Sequence, residues 1–183
     1  RIAYTRYVGF SNYLGCQVAH GAGLLRAMAG PAAVPVVAEV EYSLVRRDVE
    51  SEIVPACQAL GLGVFAWSPL GRGVLTGKYR TGTPADSRGA SPHLSGFVSE
   101  YLDARSRRIV DAVCTAADGL GCSPQEAALA WLRDRPGVAS VLVGARNAAQ
   151  LRGSLASEDI VLPEEIRFVL DEVSANRRTG PAS

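Results

Sequence analysis

Four short apolar runs, each followed by a segment with helical spacing, constrain the fold more than any other feature of the chain. They are Arg6-Tyr-Val-Gly-Phe10, Val34-Pro-Val-Val-Ala-Glu39, Gly63-Val-Phe-Ala-Trp67 and Ala139-Ser-Val-Leu-Val143. The runs are continuous rather than alternating, the pattern of strands covered on both faces by helices. Strand and helix in alternation imply a parallel sheet with right-handed crossovers, whose strand-end loops gather at one end. Four parallel strands do not close a barrel, which takes about eight in the (β/α) type. An open sheet of four leaves two bare edges. The expectation is therefore self-association through those edges, or membership of a longer protein. The start at Arg1, without Met or presequence, favours the second.

The helical segments carry ordinary boundary signals. Residues from about 14 to 29 close at Gly30-Pro31, and a segment opened by Asp48 puts Val49, Ile53, Val54, Cys57 and Leu60 on one face before Gly61. A further helix is predicted from about Tyr101 to Leu120. Ser123-Pro-Gln-Glu126 is a capping box with proline at the first helical position. Asn147 suits the N-cap of a short helix, Pro163 opens the last one, and 175–183 reads as a frayed tail. Between the third strand and the Tyr101 helix, residues 68–99 are rich in glycine and proline. A connection that long is usually functional.

Composition excludes several classes of function. Nineteen bases against eighteen acids give +1, so no global field draws the chain to nucleic acid or an anionic membrane. No apolar run approaches the roughly 20 residues that span a bilayer. Cys16, Cys57, Cys114 and Cys122 are scattered, which speaks against metal ligation and for reduced thiols in a cytoplasmic protein. His20 and His93 are the only histidines, and no nucleophile–His–acid arrangement includes them, so hydrolytic chemistry has no support.

Candidate chemistry sits at the strand ends. The first strand leads into Ser11-Asn12, which can bond an amide-bearing ligand or simply cap the next helix. Glu39 ends the apolar part of the second strand, either facing a ligand or already in solvent. Trp67-Ser68-Pro69-Leu70 places an indole at the mouth of the third. Gly71-Arg72-Gly73-Val-Leu-Thr-Gly77-Lys78 follows, with the only lysine of the chain, and Ser87-Arg88 lies further on. Glycines that admit an anion to the backbone, together with a compact ammonium, suit a phosphate. Tyr79 excludes a Walker loop. After the fourth strand, Gly144-Ala-Arg146 repeats the theme with a guanidinium beside a helix start.

In order and together, these motifs resemble the aldo-keto reductases, in the branch that includes the potassium-channel β subunits. The resemblance runs from Arg6-Tyr-Val-Gly-Phe-Ser-Asn-Tyr13 through Val40-Glu-Tyr-Ser-Leu44, Trp67 to Tyr79, Ser87-Arg88 and Gly144 to Leu151, as far as Leu170-Asp-Glu-Val-Ser174. It implies an α/β fold of the (β/α)₈ TIM-barrel type, of which this chain is the C-terminal half, equivalent to strands five to eight. It implies NADP(H) as cofactor and an aldehyde or ketone as substrate of the intact protein. Ser11 and Asn12 would hold the nicotinamide carboxamide beside Glu39, where the family usually carries Gln. Trp67, Ser68, Pro69 and Leu70, continued by Gly71, Arg72 and Gly73, would wall the nicotinamide and diphosphate. Lys78 and Arg88, on a cofactor-clasping loop over 68–99, would close over the phosphates. Gly144, Arg146 and Gln150 would take the adenosine and its 2′-phosphate. The family's catalytic Asp, Tyr, Lys and His belong to the first half of the barrel, so no catalytic residue and no carbonyl reduction are expected of this polypeptide alone. The alternative is a dimeric half-barrel that binds nucleotide as a sensor or interaction module.

Overall fold

The computed structural model describes residues 7–30, 33–85 and 87–176. Arg6, at the head of the first expected strand, and the tail from Arg177 lie outside them. Strand β1 is Gly9–Ser11, β2 Val37–Glu41, β3 Gly63–Trp67 and β4 Val138–Val141. β3 falls where the apolar run predicts it. β2 begins three residues late, past Pro35, which has no amide to offer a neighbouring strand.

These four strands pair in parallel, in the spatial order β1-β2-β3-β4. Right-handed crossovers that always step the same way place every helix on one side of the sheet. The burial of the strands records this. Ala38, Val40, Val64 and Ala66 are buried against the helices, while the residues alternating with them are only half-buried. Coverage on both faces, expected from the continuous apolar runs, is thus corrected: one face is closed and the other is open. A doubly wound sheet would need the crossover direction to reverse, and here it never does. Sequential order with one helical layer is the arrangement of consecutive strands in a (β/α) barrel, of which the chain supplies part.

The helical layer comprises α1 (Gly15–Ala29), α2 (Ile53–Leu60), α3 (Ser95–Ser99), α4 (Ala104–Leu120), α5 (Pro124–Arg133), α6 (Ala148–Leu155) and α7 (Glu164–Ser174). The segment opened by Asp48 is not one helix. It is a 3₁₀ turn over Asp48–Ser51 followed by α2, because Pro55 has no amide for the carbonyl of Ser51 and its ring would collide there. α5 is capped as expected, Ser123 and Glu126 bonding each other's backbone amides. α4 has a cap of its own, the carboxylate of Asp103 accepting from the amide of Ser106 at 2.7 Å. The expected loop over 68–99 is built rather than structureless: 3₁₀ turns over Gly71–Thr76 and Arg88–Ala90, then α3, with Val74, Leu75 and Val98 anchored in the core.

Behind the closed face, charge is enclosed around an indole. Tyr42 donates to Glu50 at 2.6 Å, and Arg47 forks onto both oxygens of Glu50 at 2.8 and 2.9 Å. Arg135 and the indole N–H of Trp131 both donate to Asp171. The guanidinium carbons of Arg47 and Arg135 lie 5.2 and 4.9 Å from the centre of the Trp131 ring. Burial alone would raise the Glu50 carboxyl, but the bonds from Arg47 and Tyr42 outweigh it and hold the group below its ordinary value. Burial, reinforced by Glu50, pushes the Tyr42 phenol well above its own.

Candidate functional site

Parallel pairing brings the strand ends into one row. Ser11 pairs with Glu39, Glu39 with Phe65 and Phe65 with Ser140, while Glu41 pairs with Trp67. By the two-residue period of a strand, Glu39, Glu41, Phe65 and Trp67 all project from the open face. The Trp67 indole donates to the Asn12 side-chain oxygen at 2.9 Å, and the Asn12 amide donates to the Glu39 carbonyl at 2.9 Å. Neither Ser11 nor Asn12 caps the following helix. α1 starts at Gly15, and the amide before it, that of Leu14, is taken by the Gln17 side chain. The capping alternative for these two residues is thereby removed.

Past Trp67 the backbone turns through a run of positive φ at Ser68, Gly71, Arg72 and Gly73. For the non-glycine residues this costs about 1–2 kcal/mol each. Asn12, Ser68 and Arg72 are the non-glycine residues of this kind among those described, and all three follow strand ends. Strain of this sort persists only where the surroundings over-determine it. The two early glycines do different work. A Cβ at Gly71 would meet Val45 at 2.5 Å, and its amide is spent on the carbonyl of Ser68, so Gly71 is buried packing. A Cβ at Gly73 would stand 3.2 Å from the Lys78 ammonium, so Gly73 makes room for that charge.

A cavity of about 440 Å³ opens between this turn and the loop after β4. From one side it is lined by Ser68, Pro69, Leu70, Arg72, Gly73, Lys78 and Arg88, and from the other by Gly144, Arg146 and Gln150. Ten sequence-predicted residues thus meet at one place from two separate strand ends. Ser11, Asn12, Glu39 and Trp67 lie apart from it on the open face, and Gly71 lies beneath it. Among the described residues the lining contains four cationic residues and no carboxylate. A larger cavity of about 660 Å³ lies between residues 77–83 and α4, where Arg80 bonds Asp111, and includes none of the residues expected to bind cofactor.

Thr76, Gln125, Leu142, Val143 and Ser154 also line the cavity, and two of them bond each other. Gln125, in the first turn of α5, donates to Ser154 at 2.9 Å, and Ser154 in turn donates to the Gln150 carbonyl at 3.1 Å. The Ser154 signal was present, since it stands four residues past Gln150 on the same helical face. Gln125 was legible only as part of a cap. Gln150 holds the backbone of the loop, its side-chain oxygen accepting from the Arg146 amide at 2.8 Å. Asn147 caps α6 as expected.

Arg72 is the member whose placement departs most from the prediction. Its guanidinium is 16% exposed and forks onto Glu41, itself 11% exposed, with N–O distances of 3.2 and 3.0 Å. It also donates to Glu100 and to the Phe97 carbonyl. Though it borders the cavity, its charge is already answered by Glu41 and Glu100, whereas Lys78 and Arg88 are exposed side chains.

The arrangement suits an anionic ligand on chemical grounds. Guanidinium and ammonium groups converge at one end, and an indole with the Ser11 and Asn12 side chains stands at the other. The Aldo/keto reductase family model matches residues 4–174. A protein described as "Probable voltage-gated potassium channel subunit beta" from Oryza sativa subsp. japonica is 37% identical over 149 residues, which cover 80% of this chain and 45% of that protein. One of the same description from Arabidopsis thaliana is 36% identical with the same coverage. The chain spans about half the length of the curated relatives it matches.

Proposed function

The chain belongs to the aldo/keto reductase family, an oxidoreductase family, and on that premise we propose that it is the NADP(H)-binding half of a carbonyl reductase. The observation that carries this reading is the cavity between the β3 and β4 loops, where Arg72, Lys78, Arg88 and Arg146 come together. Lys78 and Arg88 bind the diphosphate, and Arg146 takes the 2′-phosphate beside the first turn of α6. Trp67 supports the nicotinamide face, and Ser11 and Asn12 orient its carboxamide. Bound there, the coenzyme supplies hydride for the reduction of an aldehyde or ketone. The chain's own residues bind and orient it. By the resemblance the family's catalytic Asp, Tyr, Lys and His belong to the other half of the barrel, and on that ground this polypeptide alone is expected to bind coenzyme without turnover.

Tryptophan emission tests the binding directly. Trp67 is half-buried on the open face and Trp131, 1% exposed, sits in the core as a steady background. NADPH is expected to quench saturably, and Trp67→Phe to abolish the response. Emission unchanged up to millimolar NADPH in the folded protein would overturn the reading. Aldehyde-dependent NADPH oxidation above the buffer rate would remove the claim of inactivity.

A further inference from the structure

We propose that Glu41, Arg72 and Glu100 form a knot that positions Lys78 and Arg88 over the cavity, and that Arg72 itself is not a phosphate ligand. This deepens the nucleotide reading and rests on it for its binding consequences. The knot ties three places together. Arg72 stands near the start of the long loop, Phe97 and Glu100 near its end, and Glu41 at the end of β2. Arg72 donates from Nε and Nη2 to the two oxygens of Glu41, and from Nη1 to Glu100 at 3.0 Å and to the Phe97 carbonyl at 2.8 Å. Four of the five N–H groups of a guanidinium are thereby used, leaving too little for a bidentate grip on phosphate. The rings of Phe97 and Tyr101 lie 5.3 and 5.1 Å from its carbon, and the Tyr101 hydroxyl donates to Glu41 at 3.0 Å.

Lys78 and Arg88 are exposed side chains whose station depends on the course of the loop. Gly73, next to Arg72, leaves the space beside the Lys78 ammonium. The Tyr79 hydroxyl accepts from the Gly89 amide at 3.1 Å, stitching the two cationic stretches to each other. Arg46 bonds the second oxygen of Glu100 at 3.1 Å and Asp48 at 2.9 Å, so the charges of the knot are answered within it.

The Glu41 charge gives the experiment opposite outcomes under the two roles for Arg72. Glu41→Gln deletes a negative charge near an anion site, so if Arg72 were a phosphate ligand NADPH would bind more tightly. If the knot positions the loop, NADPH dissociation followed by stopped flow accelerates at least about fivefold, the lower end of an ordinary coupling between sites, with the association rate nearly unchanged. Arg72→Lys, which keeps the charge but loses the fork, is expected to behave like Glu41→Gln. Amide exchange in peptides containing Lys78 and Arg88, measured without nucleotide, is expected to quicken in both variants. Slower release, or unchanged protection of those peptides, overturns the proposal. Should Glu41→Gln fail to fold, Glu100→Gln, altering a carboxylate that is nearly half exposed, decides it by the same two readings. If the wild-type protein binds no NADPH, the nucleotide reading fails while the exchange data still judge the knot.

Discussion

Glu41 and Tyr42 are neighbours in the chain, yet the pleat sends them to opposite faces of the sheet, where each holds a cluster of the same chemical parts. On the closed face, Tyr42 joins Arg47, Glu50, Arg135 and Asp171 around Trp131. On the open face, Glu41 joins Arg72, Glu100 and Tyr101 beside Phe97. Each has a forked guanidinium, carboxylates, a phenol and an aromatic ring under a cation. The difference lies in what they connect. The first joins β2 to α5 and α7 inside the helical layer, whose packing would collapse or leave buried charge unpaired without it. The second joins a surface loop to the sheet beside a cavity, where water can reach the partners of a lost bond. The first therefore belongs to stability and the second to the site.

The largest effect should come from Trp131→Ala. It removes a ring that two guanidiniums flank and opens a cavity in the core, a change that costs about 3–5 kcal/mol. Urea denaturation should show this as a large drop in midpoint. Trp67→Ala on the open face should cost about 1 kcal/mol or less while removing the optical response to NADPH. Equal losses of stability would erase the distinction between the faces.

A smaller effect, read through pH, sharpens the same comparison. The folded carboxyl of Glu50 lies below its ordinary value of 4.5, so its contribution is present above that pH and is lost as pH falls through the lower folded value. Tyr42 lies above its ordinary 10.0, so its contribution is present below pH 10.0 and fades as pH rises beyond it. Tyr101 is raised too, by burial and then by the Glu41 charge. Tyr42→Phe should cost about 1–2 kcal/mol at neutral pH, by stranding a hydrogen-bond acceptor. It should also flatten the alkaline limb of a stability profile. Tyr101→Phe should flatten that limb with a lesser loss at neutral pH. A Tyr42→Phe profile that still falls as steeply above pH 10.0 would contradict the assignment.

The two faces also differ in how well the sequence announces them. β3 is legible to the residue because Gly61, in the left-handed region, and Gly63 bracket a pure apolar run. The caps of α5 and α6 are legible because Ser123, Glu126 and Asn147 act within a few residues of themselves. The openness of one face is not legible in runs such as Val-Phe-Ala, since it depends on crossover direction. Among the cationic residues of the long loop, composition cannot tell which is already partnered. Glu41 lies 31 residues before Arg72 and Glu100 lies 28 after it, and only the folded turn brings them together. Gln125 was hidden for a similar reason, reaching the cavity from a helix with no other reason to be read as part of it.

Within the site, Arg146 should separate the two pyridine coenzymes. If it takes the 2′-phosphate, Arg146→Ala weakens NADPH by about tenfold, the scale of one charge-assisted contact, and leaves NADH nearly unchanged. Parallel titrations of the two would reveal an equal loss, which would instead place Arg146 on a feature common to both.

The smallest change expected is at Glu39, and it tests the open face at its most specific point. Glu39 sits in register between Ser11 and Phe65, and its carbonyl already holds the Asn12 amide, so the backbone there is fixed whatever the side chain. An ionised carboxylate can only accept hydrogen bonds, whereas a nicotinamide carboxamide offers both a donor and an acceptor. Glu39→Gln restores the missing donor without altering size, so it should tighten NADPH by a few-fold, the scale of about 1 kcal/mol for one neutral bond. The gain should be lost for a coenzyme fragment lacking the nicotinamide, such as 2′,5′-ADP, because that fragment reaches only the cationic cavity. Tightening of both ligands alike would mean that Glu39 acts by its negative charge at a distance rather than by contact. The open face and the cavity would then be one electrostatic field, not two subsites.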